Sequence, residues 1–271
     1  MGKLAEKGKE KNPYYTKKST LTVYLVLRAL VIFSLVRAAM RLDFESVFFC
    51  VMTLVLLILP SVLTRRLHVE LPSTMEIIIL LFIFAAEILG ELNSFYIRVP
   101  HWDTMLHTLN GFLCAAIGFA LVDLLNQSDM FSFRLSPVYL ALVAFCFSMT
   151  VGVLWEFFEF FMDTRFATDM QKDWIVHTIH SVMFQPDGLN IVVHKPIESL
   201  VVNGEDWIAK YGGYIDIGLI DTMKDLIVNF IGAVTFSVIG FFYAKKRGQG
   251  RFASAFIPRV RETFSRHKDK S

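Results

Sequence analysis

His107, set among carboxylates, is the side chain whose surroundings in the sequence could do chemistry. At 100° per residue, Asp103, His107, Asn110, Gly111 and Cys114 fall on one arc of a helix, and Gly152, Glu156, Glu159 and Asp163 share an arc of another. The pattern D-x-x-x-D-x-x-x-N-x-x-G lines up Asp221, Asp225, Asn229 and Gly232, and Glu87 and Glu91 stand one helical turn apart. An imidazole mixed with carboxylates suits Zn²⁺, Mn²⁺ or Fe²⁺, whereas an all-oxygen set suits Mg²⁺ or Ca²⁺. A divalent metal ion is therefore the candidate cofactor, its identity open, with His107, Asp103, Asp221 and Asp225 as candidate ligands. Glu156, Glu159 and Glu87 are the candidate catalytic groups, able to share in holding the ion or to take a proton from bound water. Asn110, Asn229, Arg98, Arg37 and Arg41 are candidate substrate contacts, the arginines being suited to phosphate. Structural readings stand beside these. Asp103 and Asp221 sit where helices should start and would serve as N-caps, and the deeper groups could form an interhelical hydrogen-bond network.

These arcs lie in segments that have the composition of membrane spans. Hydrophobic residues make up 54% of the 271-residue chain, with 26 phenylalanines, and the mean hydropathy is +0.50, far from soluble usage. About 20 mostly apolar residues cross a hydrocarbon core of roughly 30 Å. Six stretches meet that length: 21–40, 45–64, 75–93, 104–125, 137–162 and 221–243. The first is too long for a signal peptide and carries Arg28 and Arg37, so it reads as a permanent span. Arg28 is either snorkelling or neutralising a buried acid. Ionisable groups within such spans cost on the order of 2.5–3.5 kcal/mol each, so each needs a partner or a purpose.

The net charge of +2 conceals segregation. Lysines crowd the first 18 residues, Arg65, Arg66 and Arg134 occupy two connections, and the C-terminal tail from Lys245 is basic. With six spans all of these face one side, which places both termini in the cytoplasm and the 163–220 connection outside. The polar arcs then all fall in the outer parts of their helices, where four helices could build one pocket. The expected organisation is a basic tail over 1–20, a six-helix membrane domain over 21–243 and a second basic tail over 244–271. The second tail is either solvated or laid on the anionic inner leaflet.

Within 163–220, DWIVHTIHSVMF has helical apolar spacing, and NIVVHKPIESLVVNG reads as two short strands about a Lys-Pro turn. The expected fold is thus all-α: a polytopic membrane bundle of about six helices bearing a small mixed α/β outer cap. His177 and His180 have i,i+3 spacing and rank below His107 as ligands. Cys50, Cys114 and Cys146 lie in separate apolar runs and read as soft hydrophobes.

The sequence contains no H-E-x-x-H helix, no G-x-S-x-G elbow and no phosphate-cradling glycine loop. The basic tails are explained by membrane orientation, so nucleic acid is not an expected partner. On VPHWDTMLHTLNG, WEFFEF and GGYIDIGLIDTMKDLIVNFIGA, the chain resembles the YjdF-like family of largely uncharacterised bacterial integral membrane proteins. Their order, Asp then His on one helix, Glu on a later one and the D-x-x-x-D-x-x-x-N-x-x-G stripe last, is also similar to VanZ-like proteins linked to teicoplanin resistance. The long outer connection departs from that second pattern. The first resemblance implies a bacterial inner-membrane location without implying a reaction. The leading functional expectation is a metal-dependent enzyme or binding protein acting on a lipid or lipid-linked envelope molecule, with membrane lipids as its surroundings. A proton- or cation-coupled transporter or flippase and a non-catalytic VanZ-like envelope factor are the alternatives.

Overall fold

The computed structural model describes residues 18–66, 69–126, 135–246, 249–250, 252–257 and 259–260. The lysine-rich start of the chain, Arg134 and most of the basic C-terminal tail lie outside the described residues. The order begins with α1 (Lys18–Met40), α2 (Phe44–Leu56), α3 (Leu59–Arg66), β1 (Val69–Glu70) and α4 (Ser73–Phe84), which continues into a π-helical segment, Ala85–Leu92. Then come α5 (Phe95–Arg98), α6 (Trp102–Asn126) and α7 (Pro137–Phe166). Between α7 and the last long helix lie β2 (Ile175–Val176), β3 (Thr178–Ser181), a 3₁₀ turn (Val182–Phe184), β4 (Val193–Pro196), β5 (Val201–Val202), β6 (Glu205–Asp206), α8 (Trp207–Tyr211) and β7 (Tyr214–Ile215). The chain closes with α9 (Leu219–Lys245), a 3₁₀ turn (Ala253–Ala255) and β8 (Arg259–Val260), which pairs antiparallel with β1.

Among the described residues, five helices are long and apolar enough to cross a membrane: Lys18–Met40, Phe44–Val62, Trp102–Asn126, Pro137–Phe166 and Leu219–Lys245. The remaining expected span is composite. Residues 73–84 are α-helical and the last eight are π-helical, a rare, wider winding that is frequent at functional sites. The fold is therefore a mostly helical bundle with a small strand-bearing segment.

Local chemistry sets the helix ends. Asp43 caps α2, accepting from the Ser46 amide at 3.0 Å and from its hydroxyl at 2.6 Å; those two bonds hold its carboxyl below the usual range. Ser136 caps α7 with Pro137 at the first helical position.

Packing divides the helices into two groups. In one, α6, α7 and α9 pack closely on one another; in the other, α1, α2, α4 and the π segment do so, and α6 touches α4 only lightly. Small residues bring α6 and α9 together. A Cβ on Gly111 would overlap the Asn229 carbonyl oxygen, and one on Gly232 would overlap the Thr108 carbonyl oxygen, so each helix backbone presses into the other at a glycine. Below that crossing, Phe119, Phe236, Ala115, Ala116 and Leu113 form a buried core.

The connection between α7 and α9 departs from expectation in two places. DWIVHTIHSVMF is not α-helical: Ile175–Val176 pairs with Tyr214–Ile215, Thr178–Ser181 pairs with Val193–Pro196, and only Val182–Phe184 forms a 3₁₀ turn. Its apolar residues serve those cross-strand pairs, which a helix-period reading of a short window misses. The two strands expected in NIVVHKPIESLVVNG are present, but Lys195 and Pro196 lie within β4 rather than in a turn, and β5 pairs with β6 instead of β4.

Candidate metal centre and the acids around it

α6, α7 and α9 bring their polar arcs to one point, the ring of His107. The His107 side chain is 12% exposed; Glu156 and Asp225 are 5% exposed and Asp103 is 27% exposed. Asp103 Oδ1, one turn earlier on α6, lies 3.4 Å from His107 Nε2. Asp225 Oδ2 on α9 lies 3.8 Å from the same nitrogen, and Glu156 Oε1 on α7 lies 3.8 Å from Nδ1. The two nitrogens of the ring are thus differently furnished. One ligand atom from each of Asp103, His107 and Asp225 fits within a group no more than 4.8 Å across. The second oxygen of Glu156 is buried and has no hydrogen-bond partner among the described residues.

Directly below this group is a polar layer. Asn110 Nδ2 donates to Asn229 Oδ1 at 3.1 Å, Cys114 Sγ lies 3.5 Å from Asn110 Oδ1, and Ser148 donates to the Gly111 carbonyl at 2.7 Å. These bonds tie the same three helices that supply the acids.

The other acids are placed differently. Asp221 is in the first turn of α9, but it is not the helix cap. Gly218 holds the cap position, and Asp216 accepts from the Gly218 and Ile220 amides at 3.4 and 3.1 Å. Asp221 instead accepts from the Lys172 amide at 2.7 Å and the Trp174 indole at 3.2 Å, so both its oxygens are engaged by the connecting segment. Asp163 does the same at the end of α7, accepting from the Met170 and Gln171 amides at 2.7 and 2.8 Å. Glu159 accepts from the Trp155 indole at 2.7 Å.

Glu87 and Glu91 have different surroundings. Glu91 lies 3.7 Å from Lys172 Nζ. Glu87 is 4% exposed and has neither a hydrogen bond nor an ion pair among the described residues. It faces a cavity of about 420 Å³ whose upper end it lines with Tyr96, His107, Asn110 and Trp155.

Arg37, Arg41 and Arg98 are exposed, and none forms an ion pair with the acids around His107 among the described residues. Arg28 donates to the Tyr24 hydroxyl and borders a second cavity that Glu76 also lines. His177 bonds to the Gly212 carbonyl at 3.1 Å, and His180 bonds to His194 across β3 and β4, away from His107.

Sequence reasoning did not single out Lys172, Trp174 and Asp216. Their contacts that join the connecting segment to the helices, Lys172 and Trp174 with Asp221 and Trp174 with Asp216, span more than 40 residues, and one turn of periodicity gives no sign of them. Tyr96 and Trp155, the aromatic edge of the cavity, were equally unmarked; the only signal was their nearness in sequence to Glu91 and Glu156.

A family model described as "Predicted membrane protein (DUF2238)" matches residues 20–246. Over 104 residues the chain is 27% identical to an uncharacterized protein of Thermotoga maritima, an alignment covering 38% of this chain and 52% of that protein. The chain thus spans about half the length of this curated relative. No solved structure matches.

Proposed function

The chain belongs to the DUF2238 family of predicted membrane proteins, and from that premise we propose that it binds a divalent cation at Asp103, His107 and Asp225 and uses it on the head group of a lipid or lipid-linked envelope molecule. The observation that carries this reading is the fit of three ligand atoms from two helices within 4.8 Å of one another. One imidazole and two carboxylates suit Zn²⁺, Mn²⁺ or Fe²⁺ and leave coordination positions for water or substrate. Three carboxylates around one imidazole, in a place mostly closed to water, are a costly concentration of negative charge that a cation offsets.

Glu156 serves this centre from behind. Its carboxylate faces Nδ1 while the ligand group gathers at Nε2. A carboxylate on the nitrogen opposite the metal fixes the ring's orientation and raises its basicity. Glu156 is therefore a positioning residue.

A bound cation would lower the pKa of a water molecule and polarise a phosphoryl or carbonyl oxygen. Glu87, unpartnered and bordering the same cavity as His107, is the group proposed to receive the proton. Asn110 and Asn229 would brace the floor of the site. Asp221 is assigned an anchoring role, since it lies outside the group of ligand atoms gathered within 4.8 Å and its oxygens accept from the connecting segment.

We place the protein in the bacterial inner membrane with both termini cytoplasmic and the connecting segment outside, as the basic flanks favour. Full-length protein purified in detergent, stripped with chelator and titrated with Zn²⁺ or Mn²⁺, should take up one ion per chain. His107→Ala and Asp225→Asn should each abolish uptake, and Glu156→Gln should weaken it by about 10–100-fold. Wild-type protein that holds no stoichiometric ion overturns the reading.

A further inference from the structure

The cavity beneath His107 has a shape and lining that the metal centre does not require. It lies where the two helix groups fail to close on each other. α6 forms one wall, Ile79, Phe82 and Ile83 of α4 face it, and Val151 and Leu154 of α7 contribute an edge. Along α6 its lining runs from Leu106 to Leu124, a rise of about 27 Å at 1.5 Å per residue. That is nearly the roughly 30 Å depth of a bilayer's hydrocarbon core.

Polarity is confined to one end. Glu87, Tyr96, His107, Asn110 and Trp155 surround the top; beyond Cys114 the α6 lining is Ile117, Ala120, Leu121 and Leu124, and Leu56, Leu59 and Pro60 close the far end. Water would find no hydrogen-bond partners in that lower length. Left empty, a space of about 420 Å³ would deprive every lining side chain of contacts on one side. Hydrocarbon meets both conditions. Leu154 and Leu59, at 59% and 45% exposed, place parts of the lining at the protein's lipid-facing surface, so a chain could enter sideways from the bilayer.

We propose that this cleft holds the hydrocarbon chain of a bilayer lipid whose anionic head group lies at the His107 centre. The proposal rests on the metal reading for the head group alone; the chain-binding half stands on the cleft. Without a cation, the carboxyl groups of Glu87, Asp103, Glu156 and Asp225 supply no positive charge to hold an anionic head. With one, a phosphate or carboxylate oxygen becomes a ligand. Binding of an anionic amphiphile should therefore depend on metal, and binding of a neutral one should not.

The test is photo-crosslinking of the full-length protein in detergent with octadecyl phosphate bearing a diazirine at the far end of its chain. The same measurement is made with the corresponding octadecanol, each with and without Zn²⁺. Adducts at Ile117, Leu121 and Leu124, formed by the alcohol under both conditions and by the phosphate only with metal, are the expected result. Adducts at those positions with both probes regardless of metal would keep the chain cleft and remove the cation from the head-group site. Adducts confined to lipid-facing positions such as Val138, Phe157 and Val238, with the α6 stripe unlabelled, would overturn the cleft whatever the metal does. Ile117→Trp, which fills the half-buried middle of the cleft, should cut deep labelling at Leu121 and Leu124 at least tenfold. Retained metal uptake would show that the variant still folds; unchanged deep labelling in it would also overturn the proposal.

Discussion

Asp221 and Asp225 stand one helical turn apart on α9, and their surroundings separate them. Asp221 is held by an amide and an indole of the connecting segment, whereas Asp225 faces His107. Asp221→Ala should therefore cost about 1–3 kcal/mol by leaving those donors unpaired, read as earlier thermal unfolding in detergent, with metal uptake preserved. Asp225→Asn should do the reverse, removing the ion while leaving the unfolding of the metal-free protein nearly unshifted. Equal effects of both substitutions on uptake would mean that the acids share one role. Periodicity put these acids on shared helix faces, because a four-residue spacing fixes direction. It could not divide anchoring acids from open ones, since the deciding partners, such as Lys172 for Asp221, come from a segment with no periodic relation to the helix. Arg37, Arg41 and Arg98 show the same limit. Their type suited phosphate, but they lie exposed and apart from the site.

At the scale of elements, the long helices were legible because continuous apolar length is itself the physical requirement for a span. The π-helical end of the third expected span was not. Its sequence, AAEILGEL, is compatible with ordinary winding, and only tertiary packing distinguishes the two. The consequence is specific: Glu87 turns inward to the cavity while Glu91 meets Lys172. The α6 and α9 crossing makes a sharper prediction. Gly232→Leu places a side chain where the Thr108 carbonyl oxygen lies, so the helices must separate. Overpacking of this kind typically costs about 1–3 kcal/mol. The variant should unfold at lower temperature and lose metal uptake as well, because the same crossing sets the distance from Asp225 to His107. Normal uptake in a destabilised Gly232→Leu protein would show that the site tolerates a looser crossing. The strands of the connecting segment were half legible: each is short, and their pairing partners are set by contacts outside the local pattern.

At the scale of the molecule, the two helix groups meet along a gap that is polar at one end and apolar for the rest of its length. A transporter or flippase needs a path that water or ions can follow to the other side, and the lining from Ile117 to Leu124 offers no polar group for one. Cysteine placed at Leu121 or Leu124 should stay unlabelled by a water-soluble maleimide, whereas efficient labelling there would favour transport. The proposed orientation is checked in the same way. Met183→Cys, at a position 89% exposed in the connecting segment, should react with an impermeant maleimide in intact cells; reaction only after lysis would invert the topology. The cation at Asp103, His107 and Asp225 remains the central claim, and X-ray absorption of the Zn²⁺-loaded protein tests it most directly. The expected spectrum contains one imidazole nitrogen at about 2.0–2.1 Å with the remaining ligands oxygen at about 2.0–2.2 Å, and the nitrogen contribution disappears in His107→Ala. A spectrum with no histidine scattering, or one unchanged by that substitution, would contradict the account.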